Sequence, residues 1–324
     1  MRAIVSHSEN QPAQLNEVGE PDRESGDVLL EVTHSSVNFK DGLALAGRGI
    51  VRRWPTVLGI DIVGTVAESA SNAFSVGDRV TLNGAGAGEV RDGGFAERAR
   101  VSSESLIRIP DSISSSQAAA IGTAGFTATI AVLALADLGV LPDGGDVLVT
   151  GAAGGVGSLA INLLSRRGYR VVASTGRAAE QSAFLSSLGA AEVIDRSQFS
   201  DPIAHPLQRE RWGAAVDSIG SHTLANVLAQ TRYGGVVVSN GMAQGIDLPA
   251  TVLPFILRAI TLVGANSVDA PRGLRERAWA TLGDELDLQA LDSLTAVVGL
   301  GDTIAIADEI LHGRIRGRTV VQIA

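Results

Sequence analysis

One glycine-rich segment constrains the fold of this 324-residue chain more than any other. The apolar run Val147 to Thr150 leads into a turn with four glycines, and an amphipathic stretch follows from Ser158 to Arg167. Strand, glycine turn and helix in this order are typical of a dinucleotide site, because glycines let the backbone approach a pyrophosphate whose charge the helix N-terminus stabilises. The segment therefore predicts a Rossmann unit whose turn binds the cofactor through Gly154, Gly155, Val156 and Gly157.

The end of the following strand indicates which dinucleotide binds. NAD sites usually place an acid about 20 residues after the turn, where it accepts from the ribose hydroxyls. This chain has no acid there; its residues are Ser174, Thr175, Gly176 and Arg177. Two hydroxyls and a guanidinium can donate to a 2′-phosphate, and no carboxylate repels it, so we predict NADPH as the cofactor. The alternative interpretation is that Arg177 simply starts a helix in solvent.

The pattern of apolar residues predicts two domains. Short alternating stretches separated by Gly, Pro, Asn and Asp indicate a β-rich unit over the first third of the chain. A helical stretch from Ser116 to Leu138 follows, and then apolar strands alternate with amphipathic stretches, which is typical of a doubly wound parallel sheet. We predict an α/β protein with a β-rich domain over 1–118, completed by 290–324, and a Rossmann domain over 119–289.

Composition excludes several classes of function. The formal net charge of −9 offers no electrostatic footprint for nucleic acid or an anionic membrane. The absence of cysteine excludes disulfides, a thiol nucleophile and sulfur-ligated zinc, and it fits a reducing cytoplasm. The five histidines show no metal-binding spacing, and the apolar runs are too short to span a bilayer. We therefore expect a cytoplasmic enzyme that acts on a small molecule and binds no metal.

Several segments carry a resemblance to a known family. Gly59-Ile60-Asp61 stands where zinc alcohol dehydrogenases have Gly-His-Glu. The chain resembles the zinc-free quinone oxidoreductase branch of the medium-chain dehydrogenase/reductase superfamily, and more narrowly the acrylyl-CoA reductase group within it. The segments that carry this resemblance are Ser35 to Asp41, Gly59 to Val66, Gly77 to Val80, Gly84 to Glu97, Ile121 to Ala128, Gly151 to Gly157, Gly234-Gly235 and Pro254 to Arg258.

The resemblance implies a fold, an activity and a set of site residues. It implies a GroES-like catalytic domain built from both ends of the chain, a Rossmann domain between them, and a homodimer. It also implies NADPH-dependent reduction of a short enoyl thioester, of the acrylyl-CoA to propionyl-CoA type. Besides the glycine turn and the Thr175 to Arg177 segment, it places the cofactor against Phe39, Arg196, Met242, Ile256, Ser267 and Arg318.

Two departures from the family pattern bear on the substrate. Phe39 lacks the hydroxyl of the tyrosine that the family's Asn-Tyr-Lys-Asp motif has at this position, and Asp92 stands where a large aromatic or imidazole side chain is common. Two alternatives to the enoyl thioester reductase therefore stay open. One is an NADPH-dependent quinone or enone oxidoreductase, and the other is a non-catalytic, crystallin-like protein that binds NADPH.

The chain contains a single lysine, Lys40, between Phe39 and Asp41 in the loop that should face the nicotinamide. Lysine carries a compact, flexible charge that can reach a ribose or phosphate in a way that a planar guanidinium does not imitate. We predict Lys40 and Asp41 as the catalytic residues, with bulk water as an alternative proton donor. The pair Arg52 and Arg53, in the loop from Gly49 to Trp54, could meet coenzyme A phosphates or could be a solvated basic turn.

Overall fold

The computed structural model describes residues 1–324, and the chain forms two compact units. The first comprises Met1–Phe126, Ser267–Asp284 and Leu291–Ala324, and the second comprises Thr127–Asn266 and Glu285–Ala290. The strands are β1 (Arg2–Ser6), β2 (Gln14–Glu17), β3 (Val28–Val37), β4 (Thr56–Val57), β5 (Asp61–Ser69), β6 (Arg79–Asn83), β7 (Arg98–Val101), β8 (Ile107–Arg108), β9 (Asp146–Thr150), β10 (Val171–Thr175), β11 (Ala190–Asp195), β12 (Trp212–Asp217), β13 (Thr231–Ser239), β14 (Thr261–Gly264), β15 (Thr295–Gly299) and β16 (Arg318–Gln322). The helices are α1 (Phe39–Leu45), α2 (Ser115–Asp137), α3 (Gly155–Arg166), α4 (Ala178–Ser187), α5 (Ser197–Ser200), α6 (Ser221–Gln230), α7 (Leu253–Arg258), α8 (Arg272–Glu285), α9 (Leu288–Ser293) and α10 (Thr303–Leu311).

The first unit is built on two mostly antiparallel sheets. A seven-stranded sheet has the order β15-β16-β3-β5-β6-β8, with β7 paired to β3, and a three-stranded sheet has the order β2-β1-β4. The C-terminal strand β16 pairs antiparallel with β3, with Thr319 opposite Val37, so both ends of the chain contribute to one sheet. Leu30 and Val32, on one face of β3, are buried in its core, and Leu29, Ser35 and Ser36 of the same strand are buried as well.

The second unit is a six-stranded parallel sheet in the order β11-β10-β9-β12-β13-β14. Val147, Leu148 and Val149 of the central strand β9 are fully buried, since helices cover both faces of a doubly wound sheet. The strand order reverses between β9 and β12, and the carboxyl ends at such a switch point form the usual ligand crevice. The predicted fold class, a β-rich domain plus a doubly wound parallel sheet, is confirmed.

The two compact units divide the chain differently from the predicted bounds at two places, because residues 119–126 and Ser267–Asp284 group with the first unit and not with the second. All of α8 except its last residue, Glu285, lies in the first unit, although the helix precedes the predicted boundary at 289. Its Arg275 guanidinium donates to the Asn83 carbonyl at 2.7 Å, and Trp279 Nε1 donates to Asn83 Oδ1 at 3.1 Å. These bonds join residues 192 and 196 positions apart, a distance over which local sequence patterns carry no information.

The apolar helix α2 is long enough to cross a membrane, but it is a core helix. Of its most apolar window, 89% is buried inside the protein. Its helical geometry is also interrupted at Gly122, which has φ 47° and ψ −159°. This interruption matters for the site described next.

Candidate active site

A buried carboxylate at the start of β5 organises the first unit's polar cluster. Asp61 is fully buried, and its two oxygens accept from side chains of Ser36 at 2.6 Å, Asn38 at 2.8 Å and Asn83 at 2.7 Å. The backbone N–H of Thr123 lies 2.8 and 2.9 Å from the two oxygens, and its hydroxyl donates at 2.7 Å. A buried charge is tolerated only when it is paired and hydrogen-bonded in this way.

Gly122 explains how a helix can donate its backbone N–H to this carboxylate. Its positive φ interrupts α2, so the Thr123 N–H, directly after the interruption, is directed to the Asp61 carboxylate. A Cβ at Gly122 would lie 2.5 Å from Asp61 Oδ2, 2.6 Å from Ser36 Oγ and 2.9 Å from an Arg318 nitrogen. Only glycine fits both the backbone conformation and the space.

Asp41, which the sequence predicted to be catalytic, is fully buried in the same cluster. Its Oδ2 accepts from the backbone N–H and side-chain amide of Asn38 at 2.8 and 3.1 Å, and its Oδ1 accepts from the Ile60 N–H at 2.9 Å. Burial, reinforced by the charge of Asp61, raises the pKa of Asp41 to about 7, against the opposing effect of these N–H donors. All of these contacts hold either the Asn38 side chain or the backbone of Asn38 and Ile60, so the geometry fits a residue that positions its neighbours.

Arg318, which the resemblance placed against the cofactor, is turned into the protein. Only 3% of the residue is exposed. Its guanidinium donates to the Ala120 carbonyl at 2.6 Å, to Asn38 Oδ1 at 3.1 Å and to Ser36 Oγ at 2.9 Å. Burial lowers the pKa of Arg318, and the charges of Asp61 and Asp41 counteract this effect. The cation compensates the two neighbouring carboxyl groups.

The two residues before Asp41 differ from it in their surroundings. Phe39, at the start of α1, is 46% exposed. The side chain of Lys40 is 32% exposed, and its Nζ lies 2.8 Å from Glu89 Oε1 in a salt bridge whose carboxylate side chain is only 10% exposed. Ser267 is 8% exposed, and its carbonyl accepts from Arg275 at 3.1 Å.

In the second unit, the glycine turn has the geometry that the sequence predicted for a phosphate site. Gly151 has φ 61°, and a Cβ at Gly157 would lie 2.5 Å from the Gly151 carbonyl oxygen. The helix α3 begins after Gly154, whose lack of a side chain leaves the first-turn N–H groups uncapped. Uncapped N–H groups at the N-terminus of a twelve-residue helix stabilise an anion.

The end of β10 presents hydroxyls and basic side chains. Ser174 and Thr175 are 1% and 6% exposed, and the Ser174 hydroxyl is buried without a hydrogen-bond partner. A Cβ at Gly176 would lie 2.7 Å from Arg196 Nε, so the Arg196 side chain crosses the backbone next to Arg177. The predicted 2′-phosphate segment thus brings two arginines to one strand end, which fits the charge of NADPH.

Two further predicted cofactor residues lie on the surface of the second unit: Met242 is 56% exposed and Ile256 is 67% exposed. The structure therefore sorts the predicted residues by unit. The first unit holds Phe39, Lys40, Asp41, Ser267 and Arg318, and the second holds the glycine turn, the Ser174 to Arg177 segment, Arg196, Met242 and Ile256.

Sequence reasoning missed the partners that organise the first unit, namely Asn38, Asp61, Asn83, Thr123 and Glu89. One signal was available, because Asn38 and Asp41 have the spacing of a helix cap and its third helical residue. The other contacts join distant segments. Nowhere in the structure do three or more His, Cys, Asp or Glu side chains form a group that could hold a metal ion.

Comparison with known families identifies both halves of the chain. Residues 24–111 match the alcohol dehydrogenase GroES-like domain, and residues 155–283 match the zinc-binding dehydrogenase family. Acrylyl-CoA reductase AcuI from Ruegeria pomeroyi is 42% identical over 312 residues, which cover 96% of this chain and 94% of that protein. The putative quinone oxidoreductase YhfP from Bacillus subtilis is 43% identical over 298 residues, covering 91% of this chain and 90% of that protein.

A solved structure agrees over the full length. The crystal structure of Escherichia coli K-12 YhdH with bound NADPH superposes with a TM-score of 0.95 at 40% identity and covers 100% of both chains. This agreement extends to the β-rich and the parallel sheets alike.

Proposed function

The chain belongs to the medium-chain dehydrogenase/reductase superfamily, in the group that contains acrylyl-CoA reductase AcuI, and we propose that it reduces a short α,β-unsaturated thioester with NADPH. The observation that carries the proposal is the 42% identity to that reductase over 96% of the chain. The reaction would convert an acrylyl-CoA type substrate to its saturated, propionyl-CoA type product.

NADPH is proposed as cofactor because of the second unit's own residues. The uncapped helix α3 would bind the pyrophosphate, and Arg177 and Arg196 would pair with the 2′-phosphate. The unpartnered Ser174 hydroxyl is buried at the same strand end. The E. coli relative is described with bound NADPH, although the crystal structure of B. subtilis YhfP is described with NAD bound.

The chemistry needs a hydride at the β-carbon and a proton at the α-carbon, and bound NADPH supplies the hydride. The chain's residues must hold the reacting carbons about 3 to 3.5 Å apart and donate to the thioester oxygen as enolate charge develops. Lys40 is the proposed donor, because its side chain is partly exposed. Asp41 is buried, so we assign it to positioning and assign the proton to water.

Turnover with a panel of acceptors tests the proposal. NADPH oxidation should show a much higher kcat/KM with acrylyl-CoA than with quinones or free enones, because contacts to the coenzyme A portion help to position the double bond. A second candidate, a quinone or enone oxidoreductase, is favoured by the 43% identity to the putative quinone oxidoreductase. Faster turnover of quinones or enones than of every enoyl thioester would support that candidate instead.

We also propose that the enzyme is a cytoplasmic homodimer. The strand β14 lies at the open edge of the six-stranded sheet, where an unpaired ladder can pair with a second copy. The absence of cysteine supports the reducing compartment.

A further inference from the structure

The salt bridge between Lys40 and Glu89 lies beside the proposed site and joins residues 49 positions apart. Lys40 is the only lysine in the chain, and its ammonium lies 2.8 Å from Glu89 Oε1. The Glu89 side chain is 10% exposed, so its carboxylate is largely removed from water. A carboxylate in such surroundings depends on its partner, because removing the cation would leave a buried charge uncompensated.

The backbone of Glu89 is held by hydrogen bonds to its own loop and to a second segment. Its N–H donates to the Gly86 carbonyl at 3.2 Å, and its carbonyl accepts from the Arg52 N–H at 2.9 Å. The preceding Gly88 has φ 70°, and a Cβ there would lie 2.9 Å from the Gly59 nitrogen. The loop therefore packs directly on the backbone next to Ile60, which itself donates to Asp41.

Lys40 is fixed at its backbone for a similar reason. Its neighbour Asp41 is anchored by Asn38 and Ile60, so the backbone at residue 40 cannot drift from the Glu89 loop. Only the four-carbon side chain remains free to move, and the carboxylate restrains its end. An ammonium has three donors, and one is used by Glu89, which leaves two for a ligand oxygen.

From this geometry we propose that Glu89 is a positioning residue that holds the Lys40 ammonium where its two remaining donors bind an oxygen of the cofactor or substrate. The proposal rests on the assignment of Lys40 to the active site in the proposed function. Arginine cannot replace Lys40, because a planar guanidinium is longer and presents its donors in a fixed fork.

The lone lysine allows a test that requires no turnover. An amine-reactive acetylating reagent should modify only Lys40 and the N-terminal amine, and peptide mass spectrometry separates the two. Glu89→Gln should raise the rate of Lys40 acetylation by at least about threefold, as expected for loss of a partly buried ion pair. Glu276→Gln, which removes an exposed pair with Arg272, is the matched control and should leave the rate unchanged.

Ligand protection identifies the oxygen acceptor. Saturating NADPH or acrylyl-CoA should slow acetylation of Lys40 in the wild-type protein. The ligand that slows it is the one whose oxygen accepts from the Lys40 ammonium. Protection by neither would overturn the ligand contact. An unchanged acetylation rate in Glu89→Gln would overturn the positioning role.

A double-mutant cycle tests whether the two residues act together in catalysis. Lys40→Met and Glu89→Gln should each lower kcat/KM by on the order of 10-fold to 100-fold. The double variant should be no slower than Lys40→Met, because Glu89 acts only through the ammonium. Losses that multiply would overturn the proposal. The double variant also removes both charges together, so it guards against a single variant that fails to fold.

The two proposals can fail separately. If no enoyl thioester is reduced, the proposed function is wrong. The role of Glu89 can then still be tested, by the acetylation rates and by the double-mutant cycle measured with the best quinone acceptor. If acrylyl-CoA is reduced but acetylation of Lys40 is unaffected by Glu89→Gln, only the inference about Glu89 fails.

Discussion

Single residues at the end of β10 set the charge of the proposed cofactor site. Thr175 and Gly176 bring no acid to this point, and the Arg196 side chain lies against Gly176 beside Arg177. A 2′-phosphate carries charge that NADH lacks, so these arginines should act on one cofactor and not the other. We therefore expect Arg177 and Arg196, and not the fold as a whole, to determine the preference for NADPH over NADH.

Arg177→Ala tests this preference. Losing a charged hydrogen bond costs about 1.5 to 3 kcal/mol, so the Kd for NADPH should rise by about 10-fold to 150-fold while that for NADH stays nearly unchanged. Fluorescence titration with both cofactors measures the two constants. Arg166→Ala, at an exposed position in the last turn of α3, is the control. Equal losses for NADPH and NADH would contradict the assignment.

At the scale of an element, the interruption of α2 connects a helix to a buried carboxylate. The apolar helix α2 is interrupted in its interior, because Gly122 adopts a positive φ, and it continues as a helix after this residue. The restarted helix gives its Thr123 N–H to Asp61, and Asp61 in turn orders Asn38. Backbone geometry in one helix thus supports side chains in another segment.

Gly122→Ala should disrupt this arrangement. The methyl group would lie 2.5 Å from Asp61 Oδ2, and the positive φ adds a cost of about 1 to 3 kcal/mol for a residue with a side chain. We expect the free energy of unfolding, measured by urea denaturation, to fall by about 2 to 4 kcal/mol. Gly301→Ala, where no heavy atom lies within 4 Å, should change it by less than about 0.5 kcal/mol. Equal stability of the two variants would refute the role of Gly122.

At the scale of the whole molecule, β14 is the strand on which assembly would depend. Ala265 donates its N–H to the Ser239 carbonyl of β13 at 2.9 Å, and donors alternate sides along a strand. The N–H of Val263 therefore points toward β13, whereas that of Leu262 points to the open edge. The edge keeps a free ladder donor at the position where a second copy would pair.

Leu262→Pro should convert the proposed dimer to a monomer, because proline removes the outward donor. Light scattering after size-exclusion chromatography measures the mass in solution. Leu262→Ala keeps the N–H and removes the same side chain, so it should remain dimeric. A wild-type protein that is monomeric at micromolar concentration would show the dimer prediction to be wrong.

The sequence alone determined the fold class and the family, and both are confirmed. The glycine turn lies between the strand β9 and the helix α3, in the predicted order, and its binding of the cofactor stays a prediction. These features are local: a strand, a turn and a helix occupy consecutive residues, so spacing and glycine content suffice to predict them. The assignment of individual site residues stays a prediction. For Lys40, sequence reasoning identified an unusual residue but not its partner.

Only the tertiary structure decided how the polar residues of the first unit are arranged. Arg318 meets Asn38 across 280 positions, and Asp61 meets Thr123 across 62. Arg318, Asn38 and Asp61 are buried, so each must find a hydrogen-bond partner, and the partner is whichever group the fold brings close. Sequence spacing carries no record of that proximity. Asp41 therefore looked catalytic in the sequence and is buried in the structure, while Glu89 became visible only beside Lys40.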